Sequence, residues 1–193
     1  YSGVPLRAIA QLAKSWNFSE ASFGMAALNS YYATPSVADE HGFALADAPW
    51  PQIFDPFRNA VAGKKVAVIG HFPFAPKALN QAADFYMLER SLNEGDYPDS
   101  AAEYILPECD YVFITGSAFV NKTAPRLLEL SRESFNVILG PSTPLAPVLL
   151  EDYGVSQVTG MVPTSPLAMF EGLSGTDAGT TMFDWGHRVE LSA

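Results

Sequence analysis

A chain of 193 residues with 21 acidic against 11 basic side chains carries a formal charge of −10, which disfavours nucleic acid, because affinity for a phosphate backbone rests largely on Lys and Arg neutralising it. Its composition, 48% hydrophobic and 17% charged, is that of a globular protein, and no apolar run approaches the roughly 18–20 residues a membrane span needs. The one cysteine, Cys109, excludes an internal disulfide framework, and with no signal-peptide pattern at the start the expectation is a cytoplasmic protein without nucleic-acid or membrane partners.

Tyr1-Ser2-Gly3-Val4-Pro5 reads as the middle of a longer chain. Leu6, Ile9, Ala10, Ala13 and Trp16 follow at the spacing of an amphipathic helix with one buried face and Pro5 near its start. Asn17 with Glu20 resembles a capping box opening a second helix, from Ser19 to about Tyr32, that carries the polar Asn29. Thr34-Pro35 ends it, and residues 33–52 read as a long connection across a cleft. Asp55-Pro56 starts a short helix stopped at Gly63.

Lys65-Val66-Ala67-Val68-Ile69-Gly70 is a buried strand closing on glycine. A helix to about Ala83 and a strand to Glu89 come next, since about 40 residues before the strand at Tyr111 leave room for two crossovers. After the polar loop 93–100 come a short helix stopped by Pro107 and the turn Glu108-Cys109-Asp110. Then a pattern occurs twice: Tyr111-Val112-Phe113-Ile114 runs into Thr115-Gly116-Ser117, and Val137-Ile138-Leu139 into Gly140-Pro141-Ser142-Thr143-Pro144, each followed by a helix. Such runs are buried parallel strands delivering polar loops to the sheet edge where ligands sit. A fifth strand at Val158–Val162, a helix at Pro166–Leu173, a glycine and threonine loop from Gly175 to Thr181 and a short edge strand at Arg188–Leu191 complete the reading. Alternating strands and helices mean a mostly parallel, Rossmann-like α/β sheet with helices on both faces.

The loop Gly140–Thr143 before a helix starting at Pro144 is a candidate anion clamp, with unpaired backbone N–H groups, the helix dipole and the Ser142 and Thr143 hydroxyls; the bland alternative is an ordinary helix cap. Thr115, Gly116, Ser117, Asn121 and Thr123 form a second polar loop beside it. Glu89, at a strand end, stands where an acidic residue would hold a ribose, but His71-Phe72-Pro73-Phe74 puts bulky side chains where a dinucleotide needs glycines, which argues against NAD. His71 is a candidate ligand or acid/base directly after Gly70, or a histidine satisfied by backbone partners. His41 and His187 read as surface residues, and Cys109 as an inert small hydrophobe.

Lys65 to Phe74, Leu88-Glu89-Arg90, Leu106 to Asp110, Ile114 to Ser117 with Asn121 and Thr123, and Gly140 to Pro144 together resemble the putative heavy-metal chelation domain family, over roughly residues 53–191. The resemblance implies two domains: residues 1–35 as the last helices of an enolase-N-like α+β domain, 36–52 as the connection, and 53–193 as a Rossmann-like domain. It also implies a site in the cleft between them, with Asn29 facing it, a polar pocket from Gly70, His71, Glu89, Thr115, Gly116, Asn121 and the loop 140–143, and a role near anaerobic cobalamin synthesis. Two readings stand. In one, a heavy or transition metal, or a small anionic metal-chelating molecule, binds with His71 and Glu89 as metal ligands and Ser142 and Thr143 holding an acidic group. In the other, an enzyme acts on a small phosphorylated or carboxylated metabolite with His71 as acid/base. A homo-oligomer is compatible with either.

Overall fold

Strand parity sorts the apolar residues into two cores, one on each face of a central sheet. In the computed structural model, which describes residues 1–175 and 182–193, Val66, Val68, Phe113, Val137 and Leu139 belong to one core, and Ala67, Val112, Ile114 and Ile138 to the other. Residues next to one another in a strand point to opposite faces, so runs apolar at every position require both faces to be covered. All nine side chains are wholly buried, and the larger ones each contribute about 1.5–3 kcal/mol relative to exposure. The result is a mixed α/β fold with a central sheet and helices.

The first helical stretch, α1 (Leu6–Ala10) and a 3-10 turn (Gln11–Lys14), precedes α2 (Phe18–Tyr32). The expected buried face is shallow: Ile9, Ala10 and Ala13 are half-buried, none of the stretch is fully buried, and Trp16 is 80% exposed. What packs is α2, where Gly24 lies so close to the 3-10 turn that a Cβ would stand 1.9 Å from the Ala13 backbone nitrogen. Asn17 caps α2 by accepting from the Ser19 and Glu20 amides, and the box closes through Ser15, which donates to Glu20 and accepts from the Asn17 amide.

Residues 33–52 are not a structureless connection; they form α3 (Pro35–Glu40), the short strand β1 (Ala44–Leu45) and a 3-10 turn at Trp50–Gln52. The helix expected from Asp55 is only a 3-10 turn, Asp55–Phe57. Then come β2 (Lys65–Ile69), α4 (Ala75–Ala78), β3 (Asp84–Glu89), β4 (Tyr97–Pro98), α5 (Ala102–Ile105), β5 (Tyr111–Thr115), α6 (Ala124–Leu130), β6 (Phe135–Leu139), α7 (Val148–Glu151), β7 (Gln157–Pro163), α8 (Pro166–Ser174) and β8 (Gly186–Ser192). No helix starts at Pro144: α7 begins four residues later and is one turn long. The loop predicted at Gly175–Thr181 falls, apart from Gly175, outside the described residues.

Strand order is β1-β8-β7-β6-β5-β2-β3-β4. The strands from β7 to β4 run parallel, while β8 pairs antiparallel with β7 and β1 antiparallel with β8. β8 is therefore an inner strand, not the short edge strand expected, because β1 from the supposed connection covers it.

Candidate functional site

From β2 the chain moves to β3 and β4 on one side, then returns to β5 on the other. At such a reversal the loops leaving the two neighbouring strands diverge and open a crevice beyond their carboxyl ends. Here the crevice between β2 and β5 is lined by Gly70, Glu89, Arg90, Asp99, Thr115, Ser117, Asn121 and Thr123, and encloses about 70 Å³. That is room for about two waters or one carboxylate-sized head group.

Its walls are fixed locally. Gly70 has φ of +103°, and a Cβ there would meet Thr115 Cγ2 at 3.1 Å, so glycine answers both a left-handed backbone and a close neighbour. Thr115 caps the 3-10 turn Gly116–Phe119, accepting from the Ser117 amide, and its hydroxyl lies 3.0 Å from Ser117 Oγ. Asn121 Oδ1 accepts from the Thr123 amide at 3.1 Å and hydroxyl at 2.6 Å. Glu89 is committed internally, accepting from the backbone amides of His71 at 2.9 Å and Arg90 at 2.6 Å. Arg90 pairs with Asp99 at 3.4 Å and lies over the Phe18 ring.

His71 does not line this crevice. Its Nδ1 lies 3.0 and 3.1 Å from the two carboxylate oxygens of Asp96, whose side chain is fully covered and also accepts from the Asn93 amide and side chain. Burial pushes the Asp96 carboxyl up, but the Asn93 and His71 hydrogen bonds and the imidazole's charge outweigh it and hold the group below its ordinary value. A carboxylate so depressed stabilises the fold above its unfolded pKa of about 3.9 and loses that contribution as pH falls through the folded value. Acidification below about pH 3.9 is therefore expected to release the 93–96 turn. Amide-exchange protection at Asn93, followed against pH, checks this; protection unchanged down to global unfolding contradicts it.

The second loop meets the first at Gly116, where a Cβ would stand 2.5 Å from the Thr143 nitrogen and 2.6 Å from the Ser142 carbonyl carbon. Thr143 is 3% exposed with an unpartnered hydroxyl, and its amide donates to Gly140. The helix expected directly behind the loop 140–143, and with it a helix dipole at that loop, is absent. The Ser142 carbonyl accepts from Asn29 Nδ2 at 2.8 Å, and from the neighbouring loop Lys122, in a left-handed backbone conformation, donates to the Ala13 carbonyl. These two bonds tether residues 1–32 to the sheet. Between α2, Pro141-Ser142 and α8 lies a larger, mainly apolar cavity of about 490 Å³, lined by Met25, Asn29, Ser142, Met161 and Met169 among others. The buried Asn29 Oδ1 has no hydrogen-bond partner among the described residues.

Apart from His71, which stands outside the crevice with Asp96, the expected site residues fall into three groups. Gly70, Glu89, Thr115, Ser117, Asn121 and Thr123 line the crevice, Asn29 and Ser142 line the larger cavity, and Gly116, Gly140 and Thr143 form the join. Sequence reasoning missed Asp96, Arg90 and Asp99; Asp96 sits in a loop read only as polar, and its partner is 25 residues away. Cys109 is buried, its thiol pushed up to about 11 by burial, in keeping with an inert hydrophobe. Among the described residues, no three His, Cys, Asp or Glu side chains gather as a metal-binding group.

The family described as "Putative heavy-metal chelation" (DUF364) matches residues 52–189, and a second family of the same description (DUF4213) matches residues 1–32. A crystal structure of a DUF364 protein of unknown function from Desulfitobacterium hafniense is similar over 99% of this chain and 75% of that one, at 45% identity and a TM-score of 0.87. Another, from Pyrococcus horikoshii, has 22% identity and a TM-score of 0.79 over 100% of this chain and 78% of that one, and shows likeness of fold. An uncharacterised protein of Methanocaldococcus jannaschii is 29% identical over 101 residues, 49% of this chain; the match spans 39% of that curated relative's length.

Proposed function

Because this chain belongs to the DUF364 family, described by putative heavy-metal chelation, we propose that it binds a small anionic, metal-chelating molecule with its head group in the crevice between β2 and β5. The observation that carries this reading is the chemistry of the lining: hydroxyls and an amide from Thr115, Ser117, Asn121 and Thr123 surround the cavity, with the half-exposed Arg90 beside them. Of the two carboxylates in the lining, Glu89 is already occupied by backbone amides and Asp99 pairs with Arg90. A bare ion needs several anionic or imidazole ligands converging on one point, whereas oxygens of a chelator accept hydrogen bonds from neutral donors and a guanidinium. A metal then arrives already ligated.

The two family matches, to residues 1–32 and 52–189, support reading the chain as the end of a small enolase-N-like domain followed by a Rossmann-like one, with Asn29 crossing the join. The His71–Asp96 pair supports a supplementary role: with Nδ1–H donating to Asp96, Nε2 keeps a lone pair, the arrangement of a metal-binding imidazole oriented by a carboxylate. Calorimetric titration with Co(II) alone and with Co(II)–citrate tests the proposal. The citrate complex is expected to bind, with affinity lowered about tenfold in Thr115→Val, while the bare ion is not retained. Retention of one bare Co(II) per chain, abolished by His71→Ala, would overturn it.

A further inference from the structure

At the other end of the sheet, with β6 and β7 intervening, β8 places Arg188 opposite Met161. Its side chain is 2% exposed. Among the described residues, Nε and Nη1 are buried with no hydrogen-bond partner, and Nη2 is 3.9 Å from Glu190 Oε2, an ion pair too long for a hydrogen bond. Glu190 itself lies 3.3 Å from Gln157 Nε2. Burial lowers the Arg188 pKa, against the opposing pull of Glu190, Asp47 and Asp55, yet a guanidinium keeps its proton in proteins. Trp50, 6% exposed, has an indole N–H in the same unpaired condition. Both residues line a cavity of about 700 Å³, within the range of small-molecule sites.

A buried charge without acceptors is costly unless something supplies them. Arg188 and Trp50 both offer donors and lack acceptors, so what they need is an anion. The remaining lining narrows its type. Trp50 and Phe183 face each other with ring centroids 5.4 Å apart, giving an apolar aromatic wall. Asp47 and Asp184 also line the cavity and repel a ligand of several negative charges. We infer that this cavity is a second ligand site, distinct from the β2–β5 crevice, for a small monocarboxylate with a flat apolar body, its carboxylate on Arg188 and Trp50 Nε1 and its body against Phe183. The inference does not rest on the function proposed above.

Phenylacetate is the probe, with 2-phenylethanol and inorganic phosphate as comparators. Titration followed by calorimetry and by the Trp50 indole N–H resonance is expected to show saturable phenylacetate binding that shifts that resonance. The alcohol, which has the body without the charge, is expected to bind about tenfold more weakly or worse, and phosphate not to bind. Arg188→Met, which keeps an apolar stem, is expected to weaken phenylacetate about tenfold or more while leaving the unliganded melting temperature unchanged or higher, since a buried charge with only a long ion pair to Glu190 is removed. Trp50→Phe is expected to weaken it to a lesser degree and serves alone if Arg188→Met does not fold. Equal binding of the alcohol, binding of phosphate as tight as that of phenylacetate, or affinity within twofold of wild type in both variants overturns the inference.

Discussion

Phe54→Ala is expected to destabilise the protein by about 3–5 kcal/mol, the range for truncating a fully buried aromatic side chain. Phe54 is 0% exposed and its ring meets those of Phe72, Phe74 and Phe113 at centroid distances of 5.6, 5.8 and 5.2 Å. Edge-to-face pairs add to area burial, and their removal leaves a void that the rings of Phe72, Phe74 and Phe113, held on the loop after β2 and on β5, cannot jointly fill. At roughly 2–4 °C per kcal/mol for a chain of this size, the melting temperature should fall by about 10 °C, which thermal unfolding by circular dichroism measures. A loss below about 1 kcal/mol would mean that the core repacks freely around the gap. Function is also at stake, because Phe72 and Phe74 belong to the loop leaving β2, whose first residues carry the crevice wall and His71.

Gly116→Ala should be destabilising by about 1–3 kcal/mol, the usual cost of inserting a methyl group into a filled space. What makes it consequential is the identity of the obstructing atoms: Thr143 N, Ser142 C and Thr143 Cα lie within 2.6 Å of the added carbon. These are backbone atoms, which cannot rotate out of the way as a side chain can. The two loops must part, and with Ser142 displaced its bond to Asn29 is strained or lost. Faster amide exchange across residues 140–144, with smaller changes in β6 itself, is the expected signature. Exchange unchanged there, together with a wild-type melting temperature, would show that the contact has slack.

The parallel strands were legible because each is an unbroken apolar run closing on a small polar turn, and only a sheet covered on both faces needs such runs. β3, ending at Glu89, was recovered by counting the residues two crossovers need. Other features left no local trace. β1 is two residues long, too short to show alternation, so β8 was mistaken for an edge. Pro144 resembled a helix start, yet the prolines at 144 and 147 bracket a non-helical stretch and α7 forms only after the second. Leu6, Ile9 and Trp16 have helical spacing, but periodicity says which residues share a face and not how deeply that face is buried. The candidate site was legible as loops at strand ends and illegible as contacts: that Glu89 spends its carboxylate on two amides, and that Asp96 holds His71, depends on chain segments brought together only by the sheet.

Both margins of the eight-stranded sheet end in two-residue strands, Ala44–Leu45 at one side and Tyr97–Pro98 at the other. An open strand edge is a template on which another chain can add, the first step toward intermolecular sheet growth. Here each margin offers almost no length to pair with, and Pro98 further lacks an amide hydrogen to donate. The architecture thus terminates itself against polymerisation. Lengthening β1 or replacing Pro98 alters solubility at high concentration before it alters the crevice.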